Sequence, residues 1–446
     1  AICGRPVPEI VPGPRAPLSV SLLNCLGLIR FALFSGRHVA ALKRLIASID
    51  LAPGEDANAT YASIDRELPK LSEAWYLHIS ASTLAGALAS ALPRILARGK
   101  GLTEQHNAET AKLLAGAKGI ESYDIAAGID RIVSALVAHD EPQLDHLLAL
   151  DAHEADRFLR HEASSPTRRV YSAYLKCHGH RCVREIEMRE KEWAEDPTLI
   201  VEAVLSGVRA VRGGHVGPSK AERSSAPLTL APIVRIAQHG VRLREKSKSQ
   251  SVLITTFFKR AYRTLARQMV DEGLLPDDDS VFFLQHAELG KLLRDRDPEL
   301  VERALARRKV LPFQMKLSFP TIFRGKAEPV DPTVPDGEGV LHGKTVSIGV
   351  VRGRARVALT LAEAGEVQPG EILIASTIDV GWTPSFATIA GVASDIGSTV
   401  SHGAVVAREY GLPGVTNLGT ATTMFRTGDL IELDADHGVL RRIQED

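Results

Sequence analysis

The sequence predicts an α+β protein, with a large, mostly α-helical N-terminal domain followed by a small α/β domain. Two observations carry this. From about Leu18 to Arg307 the apolar residues recur at helical spacing, in segments rich in Ala, Leu, Arg and Glu. After a proline-rich stretch the pattern changes to short β-type runs broken by two helical pieces. The expected division is a helical domain over 1–325, a linker over 326–338 and an α/β domain over 339–446.

Helical periodicity is clearest at Leu42, Leu45 and Ile46; at Leu84, Leu88, Leu92 and Ile95; at Ile132, Leu136, Leu144 and Leu147; and at Val201, Val204 and Val208. Turn-forming clusters at 52–56, 212–214 and 276–279 punctuate these helices. The apolar run 19–35 is too short for a membrane span and contains Arg30, so it is read as a buried helix. Residues 326–339 hold Pro329, Pro332 and Pro335 with almost no apolar periodicity, as a stiffened linker does. Strands are expected over 345–351, 354–359, 371–375, 391–393, 429–433 and 438–441, and helices near 385–389 and from His402.

Composition narrows the function classes. The 446 residues include 54 Lys+Arg and 54 Asp+Glu, a formal net charge of zero, which argues against a binder of nucleic acid or of an anionic membrane. Four cysteines, Cys3, Cys25, Cys177 and Cys182, are too few and too irregular for a disulfide framework, so a reducing, cytoplasmic setting is expected. The opening at Ala1, without methionine, is read as a sign of residues missing upstream.

The chemistry concentrates at residues 397–414. Gly397, Ser398, Thr399 and Ser401 form a turn, His402 opens a short helix, and Gly411-Leu412-Pro413 ends it. A helix start offers unpaired N–H groups and a positive dipole end to an anion, and a neutral imidazole is a nucleophile able to carry a covalent intermediate. Thr399, Ser401, Gly403 and Arg408 are the expected phosphate cradle around a catalytic His402.

Residues from about Gly339 to Ile443 resemble the mobile, phosphohistidine-carrying domain of phosphoenolpyruvate-utilising enzymes, most closely the rifampin phosphotransferase group. The resemblance is carried by the His402 segment and by residues 353–357, 369–373, 381–386 and 427–429. It implies a swivelling domain whose histidine takes a phosphoryl group from ATP and passes it on. Ser398 stands where the family has a second glycine, and Val380 where it has proline.

The helical part resembles the substrate-binding domain of the same group, through residues 178–185, Trp193, Glu195-Asp196-Pro197, Arg244-Glu245 and 278–289. The resemblance implies that His180, Arg181, Glu185, Arg244 and Glu245 bind substrate, with Arg181 and Arg244 as partners for phosphate. The acceptor it implies is a hydrophobic small molecule. It also implies ATP and magnesium, which need an ATP-grasp domain that these residues do not show. The chain is then a fragment, a subunit that borrows a separate ATP-grasp partner, or a scaffold reused as a stand-alone cyclase, lyase or isomerase without ATP.

Three further patterns are read as structural. Cys177, His178, His180 and Cys182, with His161 nearby, fit no standard zinc spacing, so packing is expected and no metal. Residues 212–220 lack the lysine placement and preceding strand of a phosphate loop. Residues 242–248 are expected to be a solvated helix face.

Overall fold

The computed structural model describes residues 36–115, 120–214, 226–315, 317, 319, 325–330 and 339–444. The expected helix at 19–35 lies outside these residues, as do most of the linker and of the 212–220 segment. The chain divides into two units. One draws on Ala1–Arg37, Arg44–Glu73 and Phe257–Val334, the other on His38–Lys43, Ala74–Thr256 and Pro335–Asp446. The helices Ala57–Ala97 and Ala231–Asp271 contribute residues to both.

In the first unit, the helices His286–Asp295 and Pro298–Gln314 are clamped by Glu288, which holds Arg303 at 2.9 Å and Arg307 at 2.6 Å. Asp297 caps the second of these helices by accepting from the Glu299 N–H, with Pro298 in the first turn where no donor is needed. Tyr61 stacks on His286, with ring centroids 4.5 Å apart. Gly290 permits this approach, because a Cβ there would meet the Tyr61 hydroxyl at 2.3 Å.

The second unit is organised around the helix Glu121–His139. Its Ile125, Ile129, Ile132, Val133 and Leu136 pack with Tyr171, Trp193, Val201, Val204 and Val208 from the helices and turns on either side. The same helix also offers Ala126 to a cluster that contains Trp382, Phe386, Val406 and Tyr410 of the C-terminal part. By length and composition the helix Ala57–Ala97 could cross a membrane. Here Trp75 donates to Thr255 Oγ1 at 3.1 Å and His78 Nδ1 lies 3.1 Å from Ser247 Oγ, so this stretch packs as a member of the helical bundle.

The C-terminal part is a mixed sheet of β1 (Val340–His342), β2 (Lys344–Ser347), β3 (Val350–Ala358), β4 (Ile372–Ala375), β5 (Gly391–Ser394), β6 (Gly414–Thr416), β7 (Leu430–Asp434) and β8 (Val439–Arg442). The order is β1-β8-β7-β3-β4-β5-β6-β2. Strands β3, β4, β5 and β6 run parallel, and β4 and β5 are buried throughout, as crossover helices on the sheet faces require. β3 joins two pairing modes: its first half runs antiparallel to β7 and its second half parallel to β4.

The α+β class follows from this helical part and this sheet. Four details differ from the expected elements. The 345–351 run is two strands, because Gly349, at φ 124°, turns the chain between β2 and β3. β3 then continues to Ala358 and absorbs the 354–359 run. β1 and β6 have only three residues each, too few for a periodic signal. The helix expected near 385–389 is a 3₁₀ segment, Val380–Ala387, opened by Asp379, whose carboxylate accepts from the Gly381 N–H at 2.8 Å.

Candidate active site

His402 begins the helix His402–Tyr410, which follows β5 and precedes β6. It therefore stands outside the carboxyl ends of the parallel strands, where α/β sheets place their ligands. The helix ends at Gly411 in the left-handed region (φ 67°), with Pro413 two residues beyond. Gly397 lets the loop before His402 pass against β6, since a Cβ there would meet Thr416 Oγ1 at 1.9 Å. Gly403 serves the helix start in the same way against Ile378.

Val400 and Val405, on either side of His402, join an apolar cluster with Leu92, Leu113, Val234 and Val241 of the helical part. This packing holds the histidine against the bundle. His402 is buried, with Nδ1 2.9 Å from Ser122 Oγ and Nε2 2.6 Å from Thr383 Oγ1. Burial is the main cause that lowers its pKa to about 3, and Lys248 adds to it, while Glu245 and Glu185 oppose. The ring is thus neutral at physiological pH, as a nucleophile must be.

The expected cradle residues take distinct places. The Ser401 hydroxyl donates to the Ser398 carbonyl at 2.8 Å. Thr399 is buried, and its carbonyl accepts from Arg408 Nη1 at 2.6 Å. Arg408 is also buried, and burial lowers its pKa to about 10. Its guanidinium grips the backbone leading into His402 and reaches the Val346 carbonyl at 3.4 Å.

The helical residues converge on the same unit. Arg181 Nη1 donates to Glu185 Oε1 at 2.7 Å, and Lys248 Nζ lies 2.8 Å from Glu185 Oε2. Burial by itself raises the Glu185 pKa, but Arg181 and Lys248 outweigh it and hold it at about 2. Arg181 is almost fully enclosed; burial acts to lower its pKa, and Glu185 and Glu121 overcome this and raise it. Arg244 pairs with Glu245, and Ser122 donates to the other oxygen of Glu245. For Glu245 too, burial pushes the pKa up, yet Arg244 and other neighbours bring it below the usual range. His180 Nε2 is 3.5 Å from Ser249 Oγ, and Ser249 donates to Glu121.

The 242–248 stretch is not the solvated face expected from its charges. Glu245 and Ser247 are buried, Arg244 and Lys248 are half-buried, and Lys246 is exposed. Pairing of Arg244 with Glu245 and of Lys248 with Glu185 is what lets these charges enter the packed unit. Of the proposed metal-like group, Cys177 is exposed while His178 is buried with its ring 5.1 Å from Tyr174. Among the described residues no group of three or more His, Cys, Asp or Glu is placed to hold a metal ion.

Sequence reasoning missed Lys248, Thr383 and Ser122. Lys248 was legible as the residue four places after Arg244 on the same helical face. Thr383 stands within the 381–386 motif. Ser122 is 280 positions from His402 and carries no local signature.

Two family models match the chain: the fourth domain of rifampicin phosphotransferase over residues 78–267, and the mobile domain of PEP-utilising enzymes over 367–438. The first spans Ser122, Arg181, Glu185, Arg244, Glu245 and Lys248, and the second spans Thr383 and His402. The chain is 29% identical to a rifampicin phosphotransferase of Streptomyces sviceus, over 76% of this chain and 41% of that protein. It is 27% identical to that of Bacillus subtilis, over 65% of this chain and 36% of that one. It is 28% identical to the prodigiosin synthesizing transferase PigC of Serratia marcescens, over 85% of this chain and 46% of that protein. The chain thus spans less than half the length of these curated relatives. The chain thus combines a helical region that matches the fourth domain of rifampicin phosphotransferase with a region that matches the mobile domain of PEP-utilising enzymes.

Proposed function

We propose that this chain is a dikinase-type phosphotransferase component that passes a phosphoryl group through His402 to a hydrophobic small molecule held by the helical domain. The observation that carries this reading is a neutral, buried His402 packed into the same unit as Arg181, Arg244 and Lys248. A phosphoryl group brings about two negative charges to this place, and Lys248 and Arg181 are the cations whose fields His402 feels. Catalysis then rests on positioning and on charge stabilisation, as phosphoryl transfer generally does. ATP and magnesium are handled by a separate ATP-grasp subunit or domain, and the protein works in the cytoplasm.

Support for a hydrophobic acceptor comes from relatives that are rifampicin phosphotransferases by name. The test is intact-mass analysis of the chain after incubation with ATP, magnesium and any ATP-grasp protein encoded beside it. One phosphoryl group is expected on the wild type and none on His402→Gln. No adduct, or an adduct that survives the substitution, overturns the reading.

The similarity to a prodigiosin synthesizing transferase over 85% of this chain favours a second reading, a stand-alone biosynthetic enzyme. That reading predicts ATP-independent turnover of a hydrophobic precursor that survives His402→Ala.

A further inference from the structure

We propose that Ser122 and Glu245, both in the helical part, set the protonation of His402 so that its phosphoryl group is released where the helical part meets it. Ser122 is a positioning residue in this scheme, and the proposal rests on the phosphotransferase reading for the reaction it serves.

The argument begins with a count of protons. A serine hydroxyl has one proton, and Ser122 donates it to Glu245, a carboxylate that can only accept. Ser122 Oγ is also 2.9 Å from His402 Nδ1, so at this contact the serine accepts and Nδ1–H donates. A neutral imidazole with its proton on Nδ1 has its lone pair on Nε2. Thr383 Oγ1, 2.6 Å away, then donates to Nε2. The relay runs Nδ1–H to the Ser122 hydroxyl to the Glu245 carboxylate, with one donor and one acceptor at every step.

Rigid surroundings preserve this direction. Ser122, Thr383, Glu245 and His402 are all buried, so water does not replace any link. Ser122 lies in the first turn of Glu121–His139, and Glu245 is fixed by Arg244. Lys248 and Arg181 disfavour a charged imidazole, Glu245 and Glu185 favour one, and burial outweighs them all. The ring stays neutral, and the relay selects which nitrogen keeps the proton.

The consequence appears in the transfer step. With the phosphoryl group on Nε2 and the proton on Nδ1, the Nε2–P bond breaks and its electron pair returns to Nε2. The acceptor hydroxyl oxygen forms the new P–O bond, and its proton passes to water. Imidazole departs neutral, because Nδ1–H is kept throughout. Without the relay the ring can lose that proton and must then leave as imidazolate, a far poorer leaving group. Phosphorylation also displaces the Thr383 hydrogen bond from Nε2.

Nitrogen-15 NMR of the histidine-labelled, unphosphorylated chain at neutral pH is the first test. His402 is expected to show a protonated Nδ1 and an unprotonated Nε2 in the wild type. Ser122→Ala is expected to populate the Nε2–H form. Glu245→Gln, whose amide donates to Ser122 and reverses the relay, is expected to favour Nε2–H outright. A tautomer unchanged in either folded variant overturns the proposal. This readout needs no phosphorylation, so it stands apart from the mass measurement that decides the phosphotransferase reading.

A second test loads His402 chemically with phosphoramidate and follows loss of the phosphoryl group to an added alcohol. Ser122→Ala is expected to slow release on the order of 100-fold at neutral pH, and Glu245→Gln to slow it likewise. Equal release rates in wild type and both variants refute the relay.

Discussion

Lys248 Nζ lies 2.8 Å from one oxygen of Glu185, and Arg181 Nη1 lies 2.7 Å from the other. One buried carboxylate therefore holds two cations of the candidate site in register. Glu185→Gln leaves both without a full counter-charge, and loss of one partner from a buried pair costs about 3–5 kcal/mol. Urea denaturation is expected to show a loss of this order. Replacing Arg181 and Glu185 together by methionine is expected to restore part of it, since no uncompensated arginine then remains.

Acid lability is a second expectation. His78 and His178 are lowered by burial to about 4, and His402 to about 3, from an ordinary value near 6.5. As pH falls below that value the unfolded chain binds protons that the folded chain does not, so stability is full above it and drains away as acid is added. Each such histidine contributes about 1.4 kcal/mol per pH unit while only the unfolded state titrates. Urea midpoints at pH 7.5, 6 and 5 should fall in that order, and His178→Phe should flatten the slope. Glu185, held at about 2, adds a further loss of stability below the ordinary glutamate range.

Gly403→Ala tests the helix start. A Cβ at 403 would lie 2.8 Å from Cβ and Cγ2 of Ile378, closer than packed atoms allow. Overpacking of this kind costs about 1–3 kcal/mol. Thermal unfolding is expected to reveal that loss, with recovery when Ile378→Ala is added. The same substitution without any change in stability would mean that the helix start has room to shift.

Lys248→Met tests the cation set through activity. It removes the positive charge with the largest opposing effect on a protonated His402, and on the phosphotransferase reading the one best placed to meet a phosphoryl group. Loss of one such electrostatic contact lowers transfer on the order of 100-fold or more. Rapid quench from phosphorylated protein should show this fall, while the rate of His402 phosphorylation stays near that of the wild type. Equal losses in both half-reactions would place Lys248 in the fold alone.

The His402 segment was legible because its features are local. A glycine and hydroxyl turn, a histidine and a Gly-x-Pro stop lie within eighteen residues, and backbone sterics make that string into a turn and a short helix closed by a left-handed Gly411 with little help from elsewhere. The helical bundle was legible too, since apolar spacing reports one buried face per helix. Short strands such as β6 carry no such signal and exist only because neighbours pair with them.

What the sequence determined by itself was the scaffold and the place of His402 at the start of a short helix. Tertiary structure decided the burial and the partners of that histidine. Charges at 242–248 look like a solvated face in one dimension, and they enter the interior because Glu185, far away in the chain, pairs with Lys248. Ser122 looks like any serine in a helix, and it meets His402 only because Val400 and Val405 bury themselves among side chains of the bundle. The reason is physical: protonation and charge depend on distance and burial, and both are properties of the folded chain that neighbours in sequence do not encode.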